Sequence, residues 1–139
     1  STLGSRELYK KTGFRDFATR VIMEAMNEER VKRFVVMSSM GIGESWNDIP
    51  AFTKLLFKVV MPAARKDHEA QEAAVKASSL DWTIIRPSGL TDQQEVTTYE
   101  FGKIISPKSS RISRANVADL MLKVLESNSH IHEALVISN

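Results

Sequence analysis

The sequence predicts an α/β fold built on a parallel sheet, and three observations support this prediction. Two short segments, residues 33–40 and 81–87, are apolar on consecutive positions. Such continuous runs are typical of strands that helices cover on both faces. Helical patterns alternate with these segments along the chain. An order of helix, strand, helices, strand, helix and strand favours parallel strands joined by right-handed crossovers.

The first predicted element is an amphipathic helix. Its apolar residues recur at steps of three and four, which places them on one stripe between charged residues. We expect this stripe to pack against the sheet. Its members are Phe14, Phe17, Ala18, Val21, Ile22, Ala25 and Met26.

The middle of the chain predicts two strands with helices between them. The strand over 33–40 ends in a loop over 38–43, and helices are expected over 51–61 and 63–78. Pro62 would end or kink the first of these helices. The second buried-type strand covers 81–87, and Ser88 and Gly89 follow it as a loop.

The remaining elements complete a small sheet. A short strand is expected over 97–105, and Ile112 is expected to be extended. Ser113 is a suitable N-cap for a helix that carries apolar residues at helical spacing from Val117 to Leu125. Residues 134–138 form the last predicted strand.

The chain opens like a loop that follows a strand, and three or four strands make a small doubly wound sheet. We therefore expect residues 1–139 to form a single, partial domain. In this interpretation the chain is the C-terminal part of a larger fold whose N-terminal nucleotide-binding half is missing.

Composition excludes several classes of function. The chain has no cysteine, so it has no disulfides, thiolate metal sites or cysteine nucleophiles. Nineteen basic and seventeen acidic residues give a net charge of +2, without the basic clustering that nucleic-acid binding needs. Lys58 interrupts the longest apolar run, over 55–61. We expect neither a nucleic-acid nor a membrane partner, and we expect a cytoplasmic location.

Candidate functional residues follow the ends of the predicted strands, where open α/β sheets bind ligands. Ser38, Ser39 and Met40 follow one strand, and residues 86–89 end the next. His68 lies on the helix between them, where an imidazole can contact a ribose hydroxyl or move a proton. The plain alternatives are a loop serine that satisfies backbone groups and a partly exposed helical histidine.

Four other signals are set aside. Trp46 stands where a glycine-rich dinucleotide fingerprint beginning at Gly41 and Gly43 needs its third glycine. Tyr99 and Lys103 match a Tyr-x-x-x-Lys pair, but their segment is not helical in pattern, so we interpret the match as chance. Ser39 lacks the G-x-S-x-G context of a hydrolase nucleophile. The histidine spacing does not predict a metal site.

Four segments taken in order resemble the atypical short-chain dehydrogenases/reductases. They are FVVMSS over 34–39, DH over 67–68, SLDWTIIRP over 79–87 and SRANVAD over 113–119. The chain is most similar to the flavin reductase/biliverdin reductase B group, with the NmrA-like proteins as neighbours. Ser39 together with the DH pair carries the similarity to the reductase group.

The resemblance implies a Rossmann-type fold that binds NADP or NAD and reduces a flavin or similar conjugated acceptor. Ser39 and His68 are then the candidate catalytic residues. Ser88 stands where some relatives have a histidine, so a proton-donor role at this position is not expected. The residues implied to bind cofactor are Gly4, Arg6, Ser38, Ser39, Met40, His68, Pro87 and Ser88.

Two other functions remain open at this point. A regulatory protein of the NmrA type would bind the dinucleotide without turnover, and a truncated product would be inactive. A partial fold would also expose a sheet edge, which invites pairing with another chain. We therefore expect a small-molecule acceptor as a partner and self-association through an exposed edge.

Overall fold

The computed structural model describes residues 13–43, 62–106 and 109–139. The predicted helix over 51–61 and the residues Gly4 and Arg6 lie outside the described residues. In chain order, the helices and strands are α1 (Phe14–Glu28), β1 (Arg33–Met37), α2 (Pro62–Lys76), β2 (Asp81–Pro87), β3 (Gly89–Thr91), β4 (Glu100–Gly102), β5 (Arg111–Ser113), α3 (Arg114–Glu126) and β6 (Glu133–Ser138).

The main sheet has the order β1-β2-β6-β4. β1, β2 and β6 are parallel, as predicted, and β4 runs antiparallel to β6. β3 and β5 form a separate parallel pair. Because β4 lies beside β6, β1 and β4 are the outer strands among the described residues.

Successive residues of each strand face opposite sides of the sheet, and two cores result. One core joins the sheet to α1 and α2; its buried members are Met23, Phe34, Val36, Ala74, Val75, Leu80, Trp82 and Ile84. The other joins the opposite face to α3; its buried members are Val35, Ile85, Ile112, Val117, Leu120, Val124, Leu135 and Ile137. The consecutive apolar runs in the sequence therefore serve both faces of the sheet, as predicted.

The predicted stripe of α1 is wrong for four of its residues. Phe17 is 68 % exposed, Val21 49 % and Phe14 39 %, and Ala25 is exposed as well. The buried face is centred instead on Thr19 and Met23. Thr19 sits in this face because its Oγ1 accepts a hydrogen bond of 3.0 Å from Nε2 of Gln71 on α2. A buried polar contact between the helices thus rotates α1 away from its apolar stripe.

The other two helices form where they are predicted, but Leu125 of the apolar pattern on α3 is 47 % exposed. α2 begins at Pro62, where the ring's missing N–H costs no helical hydrogen bond. At α3 the predicted cap is confirmed, since Oγ of Ser113 accepts a hydrogen bond of 3.0 Å from the Asn116 N–H. In the part of the chain that the structure describes, no helix has the length and apolar character needed to cross a membrane.

The cap at Ser113 gives a direct test of the fold. Ser113→Ala removes the acceptor for a buried N–H, so we expect the free energy of unfolding to fall by about 1 kcal/mol. Ser113→Gly is the matched control, with an expected loss of only a few tenths of that amount. Urea unfolding measures both; equal stability of wild type and Ser113→Ala would contradict the role of this cap.

Candidate functional site

A layer of polar side chains lies where the α1/α2 core reaches the carboxyl ends of β1 and β2. On β1, Phe34 and Val36 face this core, and Ser38 is the next residue on the same side. On β2, Trp82 and Ile84 face it, and Arg86 comes next. α2 supplies the partners. We call this set the polar layer: Ser38, His68, Gln71, Glu72 and Arg86.

Ser38 contacts His68 directly. Its Oγ lies 3.4 Å from Nδ1 of the imidazole, and the serine is buried. The backbone of this loop is fixed to β2, because the Ser38 N–H donates to the Ile85 carbonyl at 2.8 Å and the Met40 N–H to the Pro87 carbonyl at 2.9 Å. A hydroxyl and an imidazole therefore meet at the carboxyl ends of two neighbouring strands.

Ser39 lies at the same edge but faces away from this contact. Its Oγ donates to the carbonyl of Met40 at 3.2 Å, and its side chain is half-buried. The alternation of side chains along β1 explains the difference, since Ser38 shares a face with Val36 whereas Ser39 shares one with Met37. Ser38, and not Ser39, is therefore the serine that contacts His68. The ligand roles of both serines stay predictions.

His68 is neutral at physiological pH. Burial, together with the charge of the nearby Arg15, lowers the pKa of its imidazole from 6.5 to about 4. Gln71, Asp67 and Glu72 act in the opposite direction and raise it. A neutral imidazole offers one donor and one acceptor, so His68 suits the binding of uncharged hydroxyl or amide groups.

Asp67, beside His68, holds the start of α1. Gly13 occupies the cap position of that helix and brings no side chain. The Asp67 carboxylate accepts instead from the N–H groups of Arg15 at 3.2 Å and Asp16 at 3.3 Å. It also forms an ion pair of 3.3 Å with the Arg15 guanidinium. A carboxylate is favourable at a helix N-terminus, so this contact fixes α1 next to His68.

Gln71 lies one turn after His68 and bridges the two helices. Its Nε2 donates to Thr19, whereas its buried Oε1 makes no direct hydrogen bond within the described ranges. The Gln71 side chain nevertheless lies close enough to His68 to raise the pKa of its imidazole.

Glu72 and Arg86 form a buried ion pair. Arg86 Nε donates to Glu72 Oε1 at 3.0 Å, and Nη2 donates to Oε2 at 2.6 Å. Lys76 lies 3.7 Å from the same carboxylate at the surface. The pair connects the end of β2 to α2 at the level of His68.

Ser88 is already engaged by the chain. Its Oγ lies 2.8 Å from Oγ of Ser138, which in turn donates to the Ser109 carbonyl at 2.6 Å. Since Ser138 uses its proton on that carbonyl, Ser88 donates to Ser138. Pro87 pairs with Ile137 in the sheet. These two residues border the site through their shape and backbone.

The Tyr99–Lys103 match is chance, as interpreted from the sequence. Tyr99 precedes the short strand β4, and its hydroxyl donates to Asp119 at 2.5 Å. Lys103 pairs with Glu133 at 2.7 Å.

Within residues 13–43, 62–106 and 109–139, no group of three or more histidine, aspartate or glutamate side chains could hold a metal ion.

Sequence reasoning missed Gln71 and Glu72. Both follow His68 at helical spacings of three and four, which places them on its face of α2. That spacing was visible in the sequence. The partner of Glu72 was not, because nothing local shows that Arg86 faces inward.

The half-buried, desolvated imidazole of His68 predicts a pH dependence of stability. Between pH 6.5 and 4 the unfolded chain binds a proton at His68 and the folded chain does not, so stability rises with pH in this window and is lost as the pH falls. Relative to His68→Gln, the wild type should lose about 2 kcal/mol between pH 7 and 4.5. Urea unfolding at both pH values measures this. His132→Gln, at an exposed histidine, is the control; parallel profiles of wild type and His68→Gln would contradict the neutral, desolvated imidazole.

Comparison with known proteins identifies the family of this fold. The NAD(P)H-binding family matches residues 1–128. The chain is also similar to the UPF0659 protein C216.03 of Schizosaccharomyces pombe, with 40 % identity over 62 residues. This aligned region covers 45 % of this chain and 24 % of that protein.

Two solved structures share the fold at low identity. The anaerobillin reductase ChuY of Escherichia coli O157:H7 has a TM-score of 0.74 and 20 % identity, over 97 % of this chain and 60 % of ChuY. A short-chain dehydrogenase/reductase of Veillonella parvula in complex with NADP has a TM-score of 0.75 and 16 % identity, over 92 % of this chain and 60 % of that one. The chain spans less than two thirds of each relative. It belongs to the NAD(P)H-binding family and has a Rossmann-type fold.

Proposed function

We propose that this protein is an NAD(P)H-dependent oxidoreductase that transfers hydride to a flavin or a similar conjugated acceptor. The observation that carries the proposal is the contact of Ser38 with a neutral His68 at the carboxyl ends of β1 and β2. In open α/β sheets this edge is where ligands bind. Membership of the NAD(P)H-binding family names the ligand class.

The residues at this edge suit a nicotinamide nucleotide. Serine hydroxyls can donate to a carboxamide oxygen, and a neutral imidazole can both accept from and donate to ribose hydroxyls. In this proposal Ser39 and His68 contact the cofactor, and Ser38 orients the imidazole. Met40 and Pro87 border the ring, and Ser88 contributes without its hydroxyl, which Ser138 already accepts.

The bound cofactor supplies the hydride, so the chain needs no strong acid or base at the reacting carbon. His68 is consistent with this mechanism, because an imidazole with a pKa of about 4 is neutral at pH 7 and does not act as a general acid. Its part is to bind and orient. The α1/α2 core below the polar layer excludes water from one side of the site.

The descriptions of two structural neighbours support the reaction class. One is named an anaerobillin reductase, and another was solved with NADP. At 20 % and 16 % identity they support a nicotinamide-dependent reduction without naming the acceptor. The choice of a flavin follows from the resemblance in the sequence. The cytoplasmic location is a separate expectation and does not depend on that resemblance.

A non-catalytic NAD(P) sensor of the NmrA type is the second candidate. The neutral imidazole fits this candidate as well as it fits a reductase, since neither binding alone nor hydride transfer needs a proton donor. An inactive, truncated product is the third. One assay separates all three.

We expect oxidation of NADPH or NADH in the presence of FMN, followed at 340 nm. Ser38→Ala, Ser39→Ala and His68→Ala should each lower kcat/KM by up to about tenfold, the cost of one hydrogen bond to the ligand. Ser127→Ala, at a surface serine after α3, is the control. Tight cofactor binding with no turnover would favour the sensor, and no binding would favour an inactive fragment.

We also propose self-association through an exposed edge of the sheet. An outer strand can pair with another chain, and β4 is an outer strand of the described sheet. Sedimentation over a hundredfold range of concentration should show a species heavier than the 15.6 kDa chain. A monomer throughout that range would contradict this proposal.

A further inference from the structure

We propose that Glu72 and Arg86 are positioning residues, whose buried pair holds His68 against Ser38. Neither residue needs to touch the ligand; both act through the imidazole. The significance of this role for cofactor binding rests on the proposed function. The structural part of the inference concerns only residues of this chain and can be tested without a cofactor.

The pair fixes both the distance and the rotation between α2 and β2. Two parallel N–H···O contacts, at 3.0 and 2.6 Å, join the guanidinium to both oxygens of the carboxylate. The side chains are only 2 % and 5 % exposed. A two-point contact between planar groups is directional, so the helix can neither slide nor rotate over the strand without breaking it.

The same gap between helix and sheet is spanned by His68 and Ser38. Glu72 lies four residues after His68, and residues at this spacing share one face of a helix. Arg86 lies one residue after Ile85, whose carbonyl accepts from the Ser38 N–H. The ion pair and the serine–imidazole contact therefore join α2 to the sheet at neighbouring positions. The ion pair sets the distance between helix and sheet over which Ser38 must reach His68.

Gly43 brings a third element to the pair. A Cβ on this residue would lie 2.5 Å from Arg86 Nη2 and 3.4 Å from Glu72 Oε2, and its φ is +58°. Both the close approach and the left-handed backbone favour glycine. Gly43 ends the loop that carries Ser38, Ser39 and Met40, so this loop closes directly onto the guanidinium.

The pair is poorly explained as a source of stability. Replacing a buried ion pair by apolar side chains of similar volume is often neutral or stabilising, because the charges lose their hydration. The neighbouring residues of the α1/α2 core, Ile84 on β2 and Val75 on α2, are apolar and buried. What an apolar pair would lack is direction. The 3.4 Å contact between Ser38 and His68 is long, so a small displacement breaks it.

The test replaces both charges and observes the imidazole. In Arg86→Met/Glu72→Met, we expect the urea midpoint to stay close to that of the wild type. The His68 ring signals, followed by NMR during a pH titration, should move their midpoint upward from about 4 toward 6.5 by about one unit or more, as water reaches the ring. Glu69→Gln, on the same helix at the surface, should leave the titration unchanged.

The direction of the shift separates positioning from simple electrostatics. Arg15, Asp67 and Glu72 are the charged groups that act on His68. Arg15 and Asp67 remain in the double variant. Glu72 raises the pKa of the imidazole, so losing its charge alone would lower the midpoint. A folded double variant whose midpoint is unchanged or lower overturns the proposal.

Gly43→Ala provides a second route if the double variant does not fold. Its Cβ must displace the guanidinium, and the same upward shift is expected; an unchanged midpoint in this variant also overturns the proposal. The titration needs no dinucleotide. A wild type that fails to oxidise NADPH would therefore count against the proposed function and leave this result intact.

Discussion

The site depends on the period of two along parallel strands held in register. β1 and β2 pair from Arg33 with Asp81 to Met37 with Ile85, so the side chains that face α2 lie in matched rows. Two rows, Phe34 with Trp82 and Val36 with Ile84, are apolar and belong to the core, and the next brings Ser38 and Arg86 to the same level. A shift of one residue in either strand would turn these groups to the α3 face. The polar layer is thus a consequence of the pairing that builds the core.

Burial of charge decides what the polar layer can do. Each buried carboxylate of α2 has an arginine partner, Asp67 with Arg15 and Glu72 with Arg86. The imidazole between them has no such partner and is held neutral by desolvation. Two ion pairs therefore frame one uncharged group, which favours recognition of hydroxyls and amides over proton transfer.

The sequence predicts the sheet better than it predicts the contacts within the site. Consecutive apolar residues identified β1 and β2, and Ser113 correctly marked the start of α3. The apolar stripe of α1 gave the wrong buried face, because Thr19 is buried and hydrogen-bonded to Gln71, which lies 52 residues away. Ser38 rather than Ser39 contacts His68, and strand alternation could have shown this. The pairing of Glu72 with Arg86 could not be read from spacing, since it depends on how α2 packs.

The capping of α1 by Asp67 has a consequence for the order of assembly. Helix ends are usually capped by a residue of their own chain segment, but here the acceptor is 52 and 51 residues distant from the amides that it binds. The first turn of α1 therefore receives its cap only after α2 has packed against α1. Slow hydrogen–deuterium exchange at Arg15 and Asp16 would report that docking event, since an undocked α1 would fray from this end.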